Sequence, residues 1–147
     1  MPDDLDAGAV AAAVERFNGF YIRLPAVRKL SFTTLSVLHT LAERGALRLG
    51  ELTATEQVSQ PAITQMVTKL EAEGLVERHP DPRDGRAVLV RLTPAGRAIV
   101  TARREDRVGR LTPLLDRLDP AERAALAAAL PVLEHLAALA RLSEGRP

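Results

Sequence analysis

Val58-Ser59-Gln60-Pro61-Ala62-Ile63-Thr64-Gln65-Met66-Val67-Thr68-Lys69-Leu70-Glu71-Ala72-Glu73-Gly74 is the stretch on which the fold turns. Ser59 stands where an N-cap side chain accepts a bond from a free amide of the first turn. Pro61 falls in that turn, where its missing N–H leaves no helical bond unmade, and Gly74 lies just past the end. These signals predict a helix over 59–73. Ile63, Val67 and Leu70 are spaced four and three apart and so share one buried stripe. The other face carries Gln60, Thr64, Gln65, Thr68 and Lys69. Apart from the lysine, these side chains are uncharged and both donate and accept hydrogen bonds. Major-groove base edges demand that chemistry, whereas a merely solvated face more often carries Glu and Lys. A DNA recognition helix and an ordinary amphipathic surface helix both fit this stretch alone; its flanks decide between them.

A chain of 147 residues suits one compact domain, or one domain with dimerisation helices. Hydrophobic residues make up 46% but aromatics only 3%, so the core is built from Leu, Ala and Val, and a mainly α protein is expected. The absence of cysteine excludes a disulfide frame, thiolate metal ligation and a thiol redox switch. No unbroken run of 18 apolar residues occurs, and Met1-Pro2-Asp3-Asp4 is acidic rather than a basic signal region. The expectation is a cytoplasmic protein with no membrane partner. A formal net charge of +1 says little about partners. Its distribution says more: from Arg78 to Arg104 seven arginines stand against two aspartates, and charge gathered on one segment is the footprint of a nucleic-acid surface.

Upstream, Val10, Val14, Phe17, Tyr21 and Leu24 run at spacings of 4-3-4-3, a seam of the coiled-coil kind, with Asp6 as cap and Pro25 at or beyond its end. Such a seam needs a partner: the C-terminal helices, a second subunit, or both. Ser31 or Thr33 can cap a helix through Glu43, with Leu35, Leu38, Leu41 and Ala42 inward and Gly45 as left-handed C-cap. Ala46-Leu47-Arg48 is a short extended piece leading into a helix over Leu49–Glu56. With the helix after Gln57-Val58 this makes a helix-turn-helix, although the connection lacks a glycine.

Downstream the period changes to that of strands. Leu75–His79 and Ala87–Leu92 flank Asp81-Pro82-Arg83-Asp84-Gly85-Arg86, in which Asp84-Gly85 is a signal for a tight turn with positive φ. A hairpin with a charged tip following a recognition helix makes a winged helix-turn-helix. Thr93-Pro94 opens a helix to about Leu118, with Pro113 as an expected kink. Asp119-Pro120-Ala121-Glu122 opens a last helix, carrying Leu126, Leu130, Leu133, Ala137 and Ala140 at 4-3-4-3 and Pro131 as an expected bend.

The residues Leu49-Gly50-Glu51-Leu52, Val58-Ser59-Gln60-Pro61, Leu70–Val76, Asp81–Arg86 and Leu92-Thr93-Pro94-Ala95-Gly96 resemble the MarR (multiple antibiotic resistance regulator) family, in order and without gaps over the middle third. The resemblance implies a mainly α fold: a winged helix-turn-helix with a two-stranded β-hairpin wing, flanked by N- and C-terminal dimerisation helices. Residues 1–30 would form the first dimerisation helix. Residues 31–93 would form the DNA-binding lobe (recognition helix 59–73, wing 75–92), and 94–147 would complete the dimer region. It further implies a homodimeric regulator, usually a repressor, on a pseudo-palindromic double-stranded operator.

By motif match, Ser59, Gln60, Pro61, Thr64 and Gln65 meet base edges, Thr68 lies on the same face, and Lys69 meets phosphate. Many members carry Arg where this chain has Gln60 or Gln65, which shifts the expected base preference from guanine towards adenine. Arg86 resembles the wing arginine that enters the minor groove, with Asp84 as the acidic neighbour that holds it. The alternative has Arg86 merely paired with Asp84 or Asp81 on the surface. Arg83 touches phosphate or is only solvated.

Family members commonly release DNA when a small phenolic or lipophilic molecule fills a cleft. Tyr21 and His39 are the candidates for lining one here, with core packing as the competing role for both. The three histidines, at 39, 79 and 135, have no metal-ligand spacing, and no metal or other cofactor is expected. No phosphate-binding glycine loop, Gly-x-Ser-x-Gly or HExxH occurs, so an enzyme is not expected and no catalytic residue is assigned. RNA binding would call for exposed aromatics, which are few. A winged helix used only for protein contact would carry an apolar wing tip rather than Arg83 and Arg86.

Overall fold

A computed structural model describes residues 5–23 and 30–144. The chain falls into two compact units, Met1–Arg107 and Val108–Pro147. In the first, α1 (Ala7–Tyr21) is followed by α2 (Phe32–Arg44), β1 (Leu47–Arg48), α3 (Leu49–Glu56), α4 (Gln60–Ala72), β2 (Val76–Asp81), β3 (Asp84–Leu92) and most of α5 (Pro94–Leu115). The second unit holds the end of α5 and α6 (Pro120–Glu144).

The caps form as their chemistry requires. Asp6 accepts from the amides of Gly8 and Ala9, Ser31 from Thr34, and Ser59 from Ala62. Of the two caps considered for α2, Ser31 is the one used. Gly45 and Gly74 take positive φ (78° and 74°) where α2 and α4 end, a region that costs an L side chain strain energy. The α3–α4 connection makes the same left-handed turn without glycine: Gln57 has φ 52° and ψ 38°.

The core lies under the helix-turn-helix. Val37, Leu38 and Leu41 of α2, Leu52 of α3, and Ile63, Val67 and Leu70 of α4 pack with Leu47, Leu75, Val76, Val90 and Leu92. Each such side chain contributes about 1.5–3 kcal/mol by leaving water. Two residues placed inward by periodicity, Leu35 and Ala42, are only half-buried, while Val37 and Thr40 are buried instead. Thr40 donates from its hydroxyl to Glu56 at 2.7 Å, and Ser36 donates to the same carboxylate at 2.5 Å, tying α2 to the last residue of α3.

The sheet differs from the expected hairpin in two respects. It has three strands, ordered β1-β3-β2 and antiparallel throughout, because Leu47 and Arg48 pair with Val90 and Leu89. The turn falls at Pro82-Arg83, one step earlier than the Asp-Gly signal. Asp81 pairs with Asp84, and Gly85 belongs to β3 without positive φ. The Asp81 side chain stabilises this turn by accepting from the Arg83 amide at 2.9 Å.

Helix α1 stops at Tyr21; the seam residue Leu24 and Pro25 lie outside the described residues. Along α1 nothing is buried, and Val14, Phe17 and Phe20 are exposed. Helix α5 ends at Leu115, short of Leu118, with Pro113 inside its last turn. In the second unit Asp119 and Glu122 exchange backbone-to-side-chain bonds (2.8 and 3.0 Å), a reciprocal box with Asp as cap. Pro131 lies inside α6, whose Leu126, Leu130, Leu133, Leu136 and Leu139 are exposed. By length and composition Pro120–Ser143 is apolar enough to cross a membrane, although it lacks an unbroken apolar run because Glu134 and His135 lie in its middle.

Candidate nucleic-acid interface

Helix α4 turns its Ile63-Val67-Leu70 stripe into the core, which leaves the opposite face in solvent. Ser59, Gln60, Pro61, Thr64, Gln65, Thr68 and Lys69 are all exposed there. Two of them are already committed. Ser59 caps the helix, and the Thr68 hydroxyl donates to the Thr64 carbonyl (2.8 Å) while accepting from Arg78 Nη2 (3.0 Å). Arg78 also binds Glu71, so Thr68 belongs to a brace between α4 and β2 rather than to a free face. Gln60, Gln65 and Lys69 have no side-chain partner among the described residues.

The wing sets its arginines outward. Between the pairs Pro80–Val88 and Asp81–Asp84 the register shifts, so residues 85–87 bulge from β3 and Arg86 stands in the bulge. Bulges re-aim side chains in this way. Asp84 does not grip the Arg86 guanidinium, as the sequence reading had it; its carboxylate accepts from the Arg86 amide at 3.1 Å and fixes the backbone. Asp81 is no surface partner either. It is 6% exposed, and its second oxygen accepts from Arg48 Nε (3.0 Å) and Nη2 (2.6 Å). Among the described residues no carboxylate pairs with the guanidinium of Arg83 or Arg86, and both residues are exposed. The Asp81 carboxyl is held below the usual carboxylate range, first by the Arg83 amide and then by Arg48. Lower on the wing, Glu77 is likewise pulled down by Arg91 opposite it (2.7 Å) and by His79 (3.0 Å).

Tyr21 and His39, far apart in sequence, line one cavity of about 600 Å³. Neither is a core residue: Tyr21 is half-buried and His39 exposed, 3.4 Å from Glu43. The wall also holds Phe32, Ser36, Arg103 and Arg107, the arginines being the residues that sequence reasoning missed; the only signal was the arginine-rich run. Arg107 lies over the Tyr21 ring at 4.3 Å. Burial, and then the nearby Arg107, lower the Arg103 pKa. Among the described residues no three His, Asp or Glu converge as metal ligands.

Residues 30–88 match the MarR family model. An uncharacterised HTH-type transcriptional regulator of Mycobacterium bovis is 39% identical over 94 residues, 64% of this chain; the alignment covers 66% of that relative. Among solved structures, apo MarR of E. coli superposes with a TM-score of 0.68 at 26% identity, covering 89% of this chain and 98% of the other. BpsR of Bordetella bronchiseptica, whose DNA binding is regulated by 6-hydroxynicotinic acid, superposes with 0.58 at 27% identity, covering 86% and 98%.

Proposed function

The chain belongs to the MarR family through its winged helix, and we propose that it is a DNA-binding transcriptional regulator. In this reading it is a cytoplasmic homodimer that occupies a pseudo-palindromic operator as a repressor. One observation carries it: an uncharged, hydrogen-bonding helix face stands free beside a wing whose Arg83 and Arg86 have no acid to satisfy them. Gln60, Thr64 and Gln65 reach base edges in the major groove, where a carboxamide matches adenine, and Ser59 and Pro61 bring the helix start to the groove. Lys69 and Arg83 meet phosphate. Arg86 enters the minor groove, whose narrow walls concentrate negative potential. A protein-docking wing would present an apolar tip instead.

The exposed apolar faces of α1 and α6 are covered by a second copy, which places two recognition helices about 34 Å apart, one turn of DNA. The alternation of Leu126, Leu130 and Leu133 with polar positions on α6 suits helix pairing better than lipid. The cavity takes a small aromatic acid: Arg103 receives the carboxylate, and Tyr21 and Phe32 receive the ring. Its binding releases the DNA, as 6-hydroxynicotinic acid regulates DNA binding by BpsR.

Salt-dependent binding to the duplex upstream of its own gene, with random DNA as competitor, tests the reading. Tight binding that resists the competitor, and that Arg86→Ala weakens while the dimer persists, is the expected result. Equal affinity for both duplexes in both proteins would overturn it.

A further inference from the structure

We propose that Arg48 is a positioning residue for the wing: from the base of the helix-turn-helix it sets where Arg83 and Arg86 stand. The proposal rests on the reading of Arg86 as a minor-groove contact and adds the group that aims it.

Three observations converge on this residue. First, Arg48 ends β1 opposite Leu89 of β3, and its side chain reaches Asp81, the last residue of β2 on the far side of β3. Both Nε and Nη2 donate to the same carboxylate oxygen, a fork that a lysine ammonium cannot reproduce. Second, the other oxygen of Asp81 accepts the Arg83 amide, so one nearly buried carboxylate both forms the turn and anchors it. Third, the Arg48 amide donates to Glu51 at 2.7 Å in the first turn of α3. The residue that starts the helix-turn-helix therefore also holds the wing tip.

A two-stranded ribbon projecting from a sheet is free to swing and twist about its base. DNA binding through two grooves at once needs the separation between α4 and the Arg86 bulge fixed before contact, since orienting it on binding costs affinity. The Arg48–Asp81 bond supplies that constraint at the tip, where leverage on Arg83 and Arg86 is greatest. The Arg48 side chain remains 46% exposed, so a direct phosphate contact is the rival role that the experiment separates.

Operator affinity and its salt slope are measured for wild type, Arg48→Met, Arg86→Ala and the double variant, with amide exchange at Arg83 and Arg86 followed in the DNA-free proteins. Arg48→Met is expected to lower operator affinity about tenfold, the scale of one lost groove contact. The double variant should bind no more weakly than Arg86→Ala alone, the salt slope should hold, and exchange in the wing should quicken. Arg48→Lys, which keeps the charge without the fork, should recover only part of the affinity. Additive losses with a salt slope reduced by about one unit would overturn the proposal in favour of a phosphate contact. Unchanged wing exchange in Arg48→Met would overturn it whatever DNA does. If wild type shows no preference for the operator, the functional reading fails instead, and exchange alone still decides whether Arg48 holds the wing.

Discussion

Gly96 lies so close to the Leu75 carbonyl that a Cβ built on it would stand 2.1 Å from the oxygen. Thr93 makes the approach possible: its amide donates to the same Leu75 carbonyl at 3.1 Å, and its hydroxyl donates to the Gly74 carbonyl (2.6 Å) while accepting from the Gly96 amide (3.1 Å). The start of α5 is thereby fastened to the end of the recognition helix. Gly96→Ala should destabilise the fold by about 2–3 kcal/mol, because the clash is with backbone that cannot rotate away. Chemical denaturation would show it as a lower midpoint with unchanged slope. A midpoint within error of wild type would mean that α5 can shift at no cost.

Glu56 joins two hydroxyls of α2 to the end of α3. Replacing it with Ala leaves the buried Thr40 hydroxyl without its acceptor, at a cost of about 2–3 kcal/mol. Glu56→Gln keeps one acceptor and should recover part of that. Thermal melts of the two variants against wild type test the order.

Gln65 and Lys69 occupy the same exposed face but should fail differently. Gln65→Ala is expected to lower operator affinity by about 1–3 kcal/mol while sparing random DNA. Lys69→Ala should weaken both duplexes alike and reduce the salt slope by about one unit. Titrations at several salt concentrations separate them, and an equal loss on both duplexes for Gln65→Ala would remove it from base readout.

Acid should loosen the wing first. Asp81 and Glu77 both titrate below their ordinary values in the folded protein. Unfolding therefore takes up protons in the acid range. The stability these carboxylates contribute is fully present above their unfolded values of about 4, and is lost as pH falls through the lower folded ones. Wing amide exchange should accelerate below about pH 4, ahead of exchange in the α2–α4 core. An Asp81→Asn variant should show fast wing exchange already at pH 7; if its exchange matches wild type, the carboxylate is not what holds the turn.

How much of this the sequence reveals depends on range. The recognition helix, its stripe and its caps are legible because Ser59, Pro61 and Gly74 act within a turn of where they stand. Arg48 and Asp81, 33 residues apart, and Ser36 and Glu56, 20 apart, meet only through the tertiary fold, and no local spacing announces them. The wing turn was misplaced because two rules competed. Asp84-Gly85 fits a positive-φ turn, but the Asp81 side chain, satisfied by both Arg83 and Arg48, holds the chain at Pro82-Arg83 instead. Strand β1 is two residues long, below what alternation can detect. Gln57 in the left-handed region went unread because only its neighbours' packing selects that conformation.

The unburied faces of α1 and α6 make abundance part of the mechanism. With a second copy as their proposed cover, the assembled form and its stability depend on how many chains the cell holds. Where unpaired chains predominate, paired ones accumulate as the square of the total. A promoter bound only by pairs then answers to copy number with a threshold rather than in proportion. If the controlled promoter were the protein's own, small fluctuations in synthesis would be damped most strongly near that threshold.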